Sequence, residues 1–241
     1  MSLTERFDLL ELMDVLLYRD EFLNIASHEL KTPLTTLRLH TQVLNRKIRV
    51  DEDKAIPSSE VQKLLYHFED QTKKLNQIVD RMLDFSKIRS NHFLMDKSYI
   101  SVKEIFEASK EEFPNAKLPS KNPVLLIDRD RIIQVVRELA DNARKYSKGT
   151  KISLSCNVYE KYVCFKVKDN GIGLPEKILK DIRSPYVRGV PASEVSGMGV
   201  GLYISEKILN GHNSSLEVKS CVGKGSTFSF KLLIEPTVSK E

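Results

Sequence analysis

The sequence predicts a helical hairpin followed by an α/β two-layer sandwich. Three observations carry that prediction: a heptad seam over the first fifty residues, a change to mixed helix and strand patterning after residue 97, and glycine-bearing loops confined to the second part.

The seam begins at Met13 and recurs at alternating steps of three and four through Leu16, Asp20, Leu23, Ser27, Leu30, Leu34, Leu37, Thr41, Leu44 and Ile48. Leu9, Leu12, Leu17, Phe22, Ile25 and Ala26 lie beside it and widen the stripe to what a bundle helix needs. Glycine is absent and Pro33 is the only proline, so a helix of about 45 residues, on the order of 65 Å long, is expected. Residues 50–59 break it, and Ser58 or Ser59 can cap a second helix. That helix carries Val61, Leu64, Leu65, Phe68, Leu75, Ile78, Val79, Met82 and Phe85 on one face. Two antiparallel helices enclose little core, so a second copy is expected to complete a four-helix bundle, giving a homodimer through residues 1–90.

Within the first helix the segment Ser27-His28-Glu29-Leu30-Lys31-Thr32-Pro33-Leu34 stands out. Pro33 has no N–H to offer the carbonyl of Glu29, and its ring crowds the preceding turn, at about 3 kcal/mol. A distortion is therefore expected one turn past His28. Neutral imidazole is a competent nucleophile, with a reference pKa of about 6.5. Thr32 shares the face of His28, and Glu29 points about a quarter-turn away. His40, His67, His92 and His212 lack such a setting and read as surface histidines.

Residues 91–97 form the expected hinge, and residues 98–241 the second domain. Ser101 can cap a helix through Phe113; residues 124–127 form a short strand; Asp128 caps a helix to about Tyr146. Residues 151–158 and 162–168 alternate as adjacent strands, followed by a helix over 200–209 and strands over 215–219 and 227–234. A mixed sheet with helices on one face would bury Ile152, Leu154, Cys156 and Val158 beside Val163, Phe165 and Val167.

Three loops interrupt this pattern: Asp169-Asn170-Gly171-Ile172-Gly173-Leu174-Pro175, Gly197-Met198-Gly199-Val200-Gly201-Leu202, and Gly223-Lys224-Gly225-Ser226-Thr227-Phe228. The second leads into a helix, whose first N–H groups and positive dipole end favour phosphate. No Gly-Lys-Ser/Thr follows, which excludes a P-loop, and the stretch before it is not a strand, which excludes a dinucleotide fingerprint. On the preceding helix Glu138, Asn142 and Lys145 share one face. A carboxylate and an amide oxygen suit Mg²⁺, and a lysine suits phosphate.

Composition narrows the classes further. The 241 residues carry 38 basic and 33 acidic side chains without a long like-charge block, so direct nucleic-acid binding is not expected. No apolar run reaches a membrane span and no leader pattern opens the chain, so a cytoplasmic protein is expected. Cys156, Cys164 and Cys221 show no metal spacing and read as reduced structural thiols.

In order and spacing these segments resemble the catalytic core of the sensor histidine kinases of two-component systems, over nearly the whole chain. Residues 27–34 resemble the H box, 138–147 the N box, and the three glycine loops the remaining boxes of the gyrase-like (Bergerat) ATP-binding fold. The resemblance implies ATP and Mg²⁺ as cofactors and His28 as phosphoryl acceptor on its distal ring nitrogen. Glu29 would orient the ring or take its proton, and Thr32 would help orient water during dephosphorylation of a partner. Asn142 and Glu138 would serve Mg²⁺, Lys145 the phosphates, and Tyr146 the base. Asp169 would accept the adenine amino group. Gly171, Gly173, Gly197, Gly199, Gly201, Leu202 and Thr227 would line the nucleotide site.

One stretch departs from the family's Phe-x-Pro-Phe-Tyr-Arg pattern. Here it reads Arg183-Ser184-Pro185-Tyr186-Val187-Arg188, which keeps Arg188 as a phosphate candidate but lacks two aromatics. A lid is expected over residues 189–196. The implied activity is autophosphorylation of His28 and transfer to an aspartate on the receiver domain of a response regulator, with dephosphorylation of that regulator. The alternatives are a predominantly phosphatase protein and an ATP-gated dimeric scaffold. Membrane contact is expected only through a sensor region N-terminal to this sequence, anchored where present in the inner membrane.

Overall fold

A computed structural model describes residues 3–50, 57–147, 149–187 and 197–235. Two compact units, Met1–Asp84 with Ser196–Met198 and Phe85–Val195 with Gly199–Glu241, are taken in turn.

The first unit holds α1 (Leu3–Val50) and most of α2 (Ser58–Arg89). α1 runs 48 residues, and the helix continues through Pro33 without the break expected there. Hydroxyls of Thr32, Thr35 and Thr36 donate back to the carbonyls of His28, Lys31 and Thr32, so this stretch has side-chain donors close to the turn that the proline deprives of an N–H. α2 starts at Ser58 as expected, with the N–H groups of Glu60 and Val61 on the carbonyl of Pro57. The connection at 51–56 lies outside the described residues. Ala26 and Ile78 are buried, whereas Leu23, Leu34 and Ile48 of the seam and Val61, Leu65, Val79 and Leu83 of α2 are exposed in the single chain.

The second unit adds β1 (Ser98–Ser101), α3 (Val102–Ala108), β2 (Val124–Ile127), α4 (Arg129–Tyr146), β3 (Ser153–Val158), β4 (Tyr162–Lys168), α5 (Glu176–Leu179), α6 (Gly201–Gly211), β5 (Glu217–Cys221) and β6 (Gly225–Leu233). β1 and β2 pair antiparallel as a small sheet, with Ser98 opposite Ile127. The larger sheet has order β3-β4-β6-β5 and every pairing is antiparallel, which corrects the expected mixed sheet. Leu154, Val163, Phe165 and Val167 face the core with Phe228, Phe230 and Leu232, under Ile132, Val136, Leu139, Ile204 and Ile208 of the helices. Cys156, Val158 and Ile152 are only half-buried, because β3 is an edge strand.

Sequence logic accounts for the helices that matter. Asp128 caps α4 by accepting the N–H of Arg131, as expected, and buried residues then recur along one face through Ala143. α3 has a capping box between Ser101 and Glu104 but ends at Ala108 rather than Phe113. Ser109 explains the early stop: its hydroxyl donates to the carbonyl of Ile105 and its N–H is shared between Ile105 and Phe106, after which the chain turns toward Pro114. Among the described residues no helix is long and apolar enough to cross a membrane.

Candidate functional site

In the first unit His28 and Thr32 are exposed on α1 and Glu29 is half-buried, so the imidazole is open to a reactant. The Thr32 hydroxyl donates to the His28 carbonyl at 3.3 Å, which ties the two residues into one turn. Gly197, with φ of 148°, is grouped with this unit.

The remaining candidates meet in the second unit. β4 ends at Lys168, and the next residue, Asp169, is buried. Its N–H donates to Ser226 O, and its Oδ1 accepts the N–H groups of Gly171 at 2.8 Å and Ser226 at 3.2 Å. One carboxylate oxygen is thus fixed by backbone, while Oδ2 has no hydrogen bond among the described residues. A carboxylate so held is an acceptor for a ligand's N–H.

The first glycine loop packs directly on the end of α4. The Ile172 N–H donates to Tyr146 O at 3.2 Å, and a Cβ on Gly171 would overlap that carbonyl oxygen. Gly173, at φ 69°, lies against the carbonyl of Cys221, where again no Cβ fits. The loop is also tied to β5 and β6, since the Leu174 N–H donates to Ser220 Oγ and Ser220 pairs with Ser226. These serines were not among the sequence candidates. Small polar residues on a strand carry no signal of their own, although Ser226 lies within the third glycine loop.

α4 contributes Glu138, Asn142, Lys145 and Tyr146 as expected, the first buried, the second half-buried, the third exposed and the fourth half-buried. The Glu138 carboxylate reaches the first residue of α6, where a Cβ on Gly201 would collide with Oε2. Asn142 lies one turn further on, and its amide has no hydrogen bond among the described residues. Gly199 has φ of 69° and its carbonyl accepts the Tyr186 N–H at 2.9 Å. Leu202 and Thr227 are half-buried. Arg188 and the expected lid at 189–196 lie outside the described residues. Glu138 thus meets the start of α6 from the C-terminal half of α4, and the loop that follows Asp169 packs on the last residue of the same helix.

The cysteines take no part. All are free thiols, and burial pushes Cys156 up to about 11, so it stays protonated at neutral pH. No group of three or more potential metal-binding side chains occurs among the described residues. His212, read as a surface residue, is instead buried, and its Nε2 accepts the N–H of Asp128.

Comparison with known proteins gives the same two parts. Residues 18–91 match the family described as the His Kinase A (phospho-acceptor) domain, and residues 127–236 the one described as histidine kinase-, DNA gyrase B-, and HSP90-like ATPase. The chain is 30% identical over 228 residues to the sensor histidine kinase WalK of Bacillus subtilis, covering 89% of this chain and 36% of WalK. It thus spans little more than a third of that relative's length. The fold resembles that of the Acinetobacter baumannii histidine kinase AdeS, with TM-score 0.56, 21% identity and coverage of 87% and 98%. It also resembles full-length ShkA in complex with AMPPNP, with TM-score 0.58, 18% identity and coverage of 86% and 46%.

Proposed function

The chain belongs to the sensor histidine kinases of two-component systems, and on that premise we propose that it is an ATP-dependent protein-histidine kinase whose phosphoryl acceptor is His28. The observation that carries this reading is the pairing, in one chain, of an exposed helical imidazole with a buried Asp169 whose Oδ1 is held by backbone amides and whose Oδ2 is left for a ligand. The AMPPNP bound to ShkA supports nucleotide use here.

In this mechanism Oδ2 of Asp169 accepts the adenine amino group, and Gly171 and Gly173 let the loop lie close enough for backbone to line the pocket. Tyr146 flanks the base, while Lys145, Arg188, the loop glycines at 197, 199 and 201, Leu202 and Thr227 surround the phosphates and sugar. The donor set fits Mg²⁺: the amide of Asn142 has no hydrogen bond among the described residues, and Glu138 supplies a carboxylate one turn away. When bound, the ion would neutralise charge on the phosphates. The lone pair of the distal nitrogen of His28 attacks the γ-phosphorus, forming an N–P bond as the bond to the ADP oxygen breaks. Glu29 orients the ring or takes its remaining N–H proton. Holding donor and acceptor on tethered units raises the effective concentration of the reaction.

The phosphoryl group then passes to an aspartate of a response regulator's receiver domain, and Thr32 on the same face serves its later hydrolysis. The exposed apolar stripe on α1 and α2 supports a homodimer through residues 1–90. ATP supply places this reaction in the cytoplasm. Incubation with γ-labelled ATP and Mg²⁺ is expected to give an acid-labile label that His28→Gln abolishes. Equal labelling of the variant would overturn the assignment.

A further inference from the structure

The segment between α2 and β1 is bound to the second unit at three places. The guanidinium of Arg131 lies 4.5 Å over the Phe93 ring. Met95 packs on Gly211 so closely that a Cβ there would come within 2.7 Å of its Cε. The Asp96 N–H donates to Asp128 Oδ2 at 2.9 Å, while Oδ1 of the same carboxylate caps α4 through the Arg131 N–H at 3.1 Å. One aspartate therefore joins the linker to the first turn of the helix that carries Glu138, Asn142 and Lys145.

His212, at the end of α6, holds that aspartate from behind. Its Nε2 accepts the Asp128 N–H at 2.9 Å, so Nε2 carries no proton, and Nδ1–H donates to Ile208 O at 2.7 Å. Both residues are buried. A proton on Nε2 would set two N–H groups against each other, and among the described residues the Asp128 N–H has no other acceptor. Burial opposes that proton most strongly and Lys97 of the linker opposes it too; the Ile208 carbonyl and the Asp128 carboxylate favour it.

We propose that Asp128 and His212 are positioning residues that latch linker residues 93–97 to the start of α4, and that protonation of His212 opens the latch. The inference rests on the kinase reading for its consequence: displacement of the linker acts through Asp128 on a rigid helix, and Asn142 lies fourteen residues along it, about 21 Å away. Neither half of the motif shares a residue with the nucleotide site.

The test uses the full chain, with His212→Gln, which keeps an acceptor without titrating, and Asp96→Pro, which removes the linker's N–H donor. Hydrogen exchange of the 93–97 peptide, corrected for intrinsic rate, is measured from pH 8 to pH 5 beside the KM for ATP in autophosphorylation. In the wild type, protection of this peptide falls as the solution becomes acidic and KM rises by about fivefold, a modest coupling. His212→Gln gives flat profiles, and Asp96→Pro shows the acid-form values at pH 7. Identical exchange in wild type and His212→Gln at every pH overturns the latch. Changing exchange with an unchanged KM overturns the positioning role. Absence of labelling by ATP at any pH, with exchange behaving as described, overturns the kinase reading and leaves the latch standing.

Discussion

The carbonyl oxygen of Tyr146, the last residue of α4, accepts the N–H of Ile172 at 3.2 Å, and Gly171 lies where a Cβ would overlap the same oxygen. Helix and loop are thereby set in one register, with Asp169 just upstream. A methyl group on Gly171 would meet this carbonyl and come within 2.9 Å of Asp169 Oδ1; the first is backbone, and the second is held by the N–H groups of Gly171 and Ser226. Gly171→Ala is expected to cost about 1–3 kcal/mol and to lower Tm by roughly 2–4 °C per kcal/mol. ATP affinity falls with it, because Asp169 must move. Gly223→Ala is the control: open space surrounds it, and only its φ of 76° resists a side chain. Calorimetric unfolding and equilibrium binding of an ATP analogue compare the two; equal effects would remove the special role of the Tyr146 contact.

Asp169→Asn separates holding the loop from holding the ligand. Its amide oxygen can still accept from Gly171 and Ser226, so the fold should survive with a small drop in Tm. The other position becomes an NH₂ donor facing the donor of adenine, so one hydrogen bond turns into a repulsive pair. Nucleotide affinity is expected to fall at least about a hundredfold, since a charge-assisted bond is lost and a buried donor left unpaired. Titration calorimetry with ATP checks this, and retention of affinity would displace Asp169 from the adenine role.

What sequence made legible follows physical range. The α4 helix, its Asp128 cap and the face bearing Glu138 and Asn142 depend on local spacing, and all stand where the pattern puts them. The β1 strand does not: Ser98-Tyr99-Ile100-Ser101 has one buried residue, Ile100, and becomes a strand only by pairing with residues 124–127. The antiparallel order β3-β4-β6-β5 is likewise non-local, because β6 inserts between β4 and β5. His212 departs from the surface position expected of it for a different reason. It follows Ile204 and Ile208 at steps of four, on the buried face of α6, and the periodicity that placed those isoleucines inside applied to it equally.

His212 also predicts an acid limit to stability. Its folded-state affinity for a proton is lowered, chiefly by burial, from an ordinary value of 6.5. A group depressed on folding contributes its full stability above the unfolded value. As pH falls below about 6.5 the unfolded chain takes the proton first, and stability is lost until the folded pKa is passed. Denaturant midpoints measured between pH 8 and pH 5 should decline over this window in the wild type. The decline should be smaller in His212→Gln. Parallel curves would show that carboxylates, not this imidazole, set the acid limit.

The helical unit leaves its apolar seam open. Leu23, Leu34 and Ile48 on α1 and Val61, Leu65, Val79 and Leu83 on α2 are exposed in the single chain. On α2 these residues stand at steps of four, fourteen and four, the repeat of a heptad stripe. Burying one leucine stabilises by about 1.5–3 kcal/mol, and in a symmetric dimer each substitution acts twice. Leu65→Asp is therefore expected to weaken association by about 10²-fold or more, and light scattering at micromolar concentration should report a mass near the single-chain 27.6 kDa instead of about twice that value. Tyr99→Ser, equally exposed but in the second unit, should leave the mass unchanged. Helical circular dichroism distinguishes a folded monomer from an unfolded hairpin. If Leu65→Asp keeps the wild-type mass, the stripe is not the dimer seam; if the wild type itself has the single-chain mass, the bundle of four helices does not form.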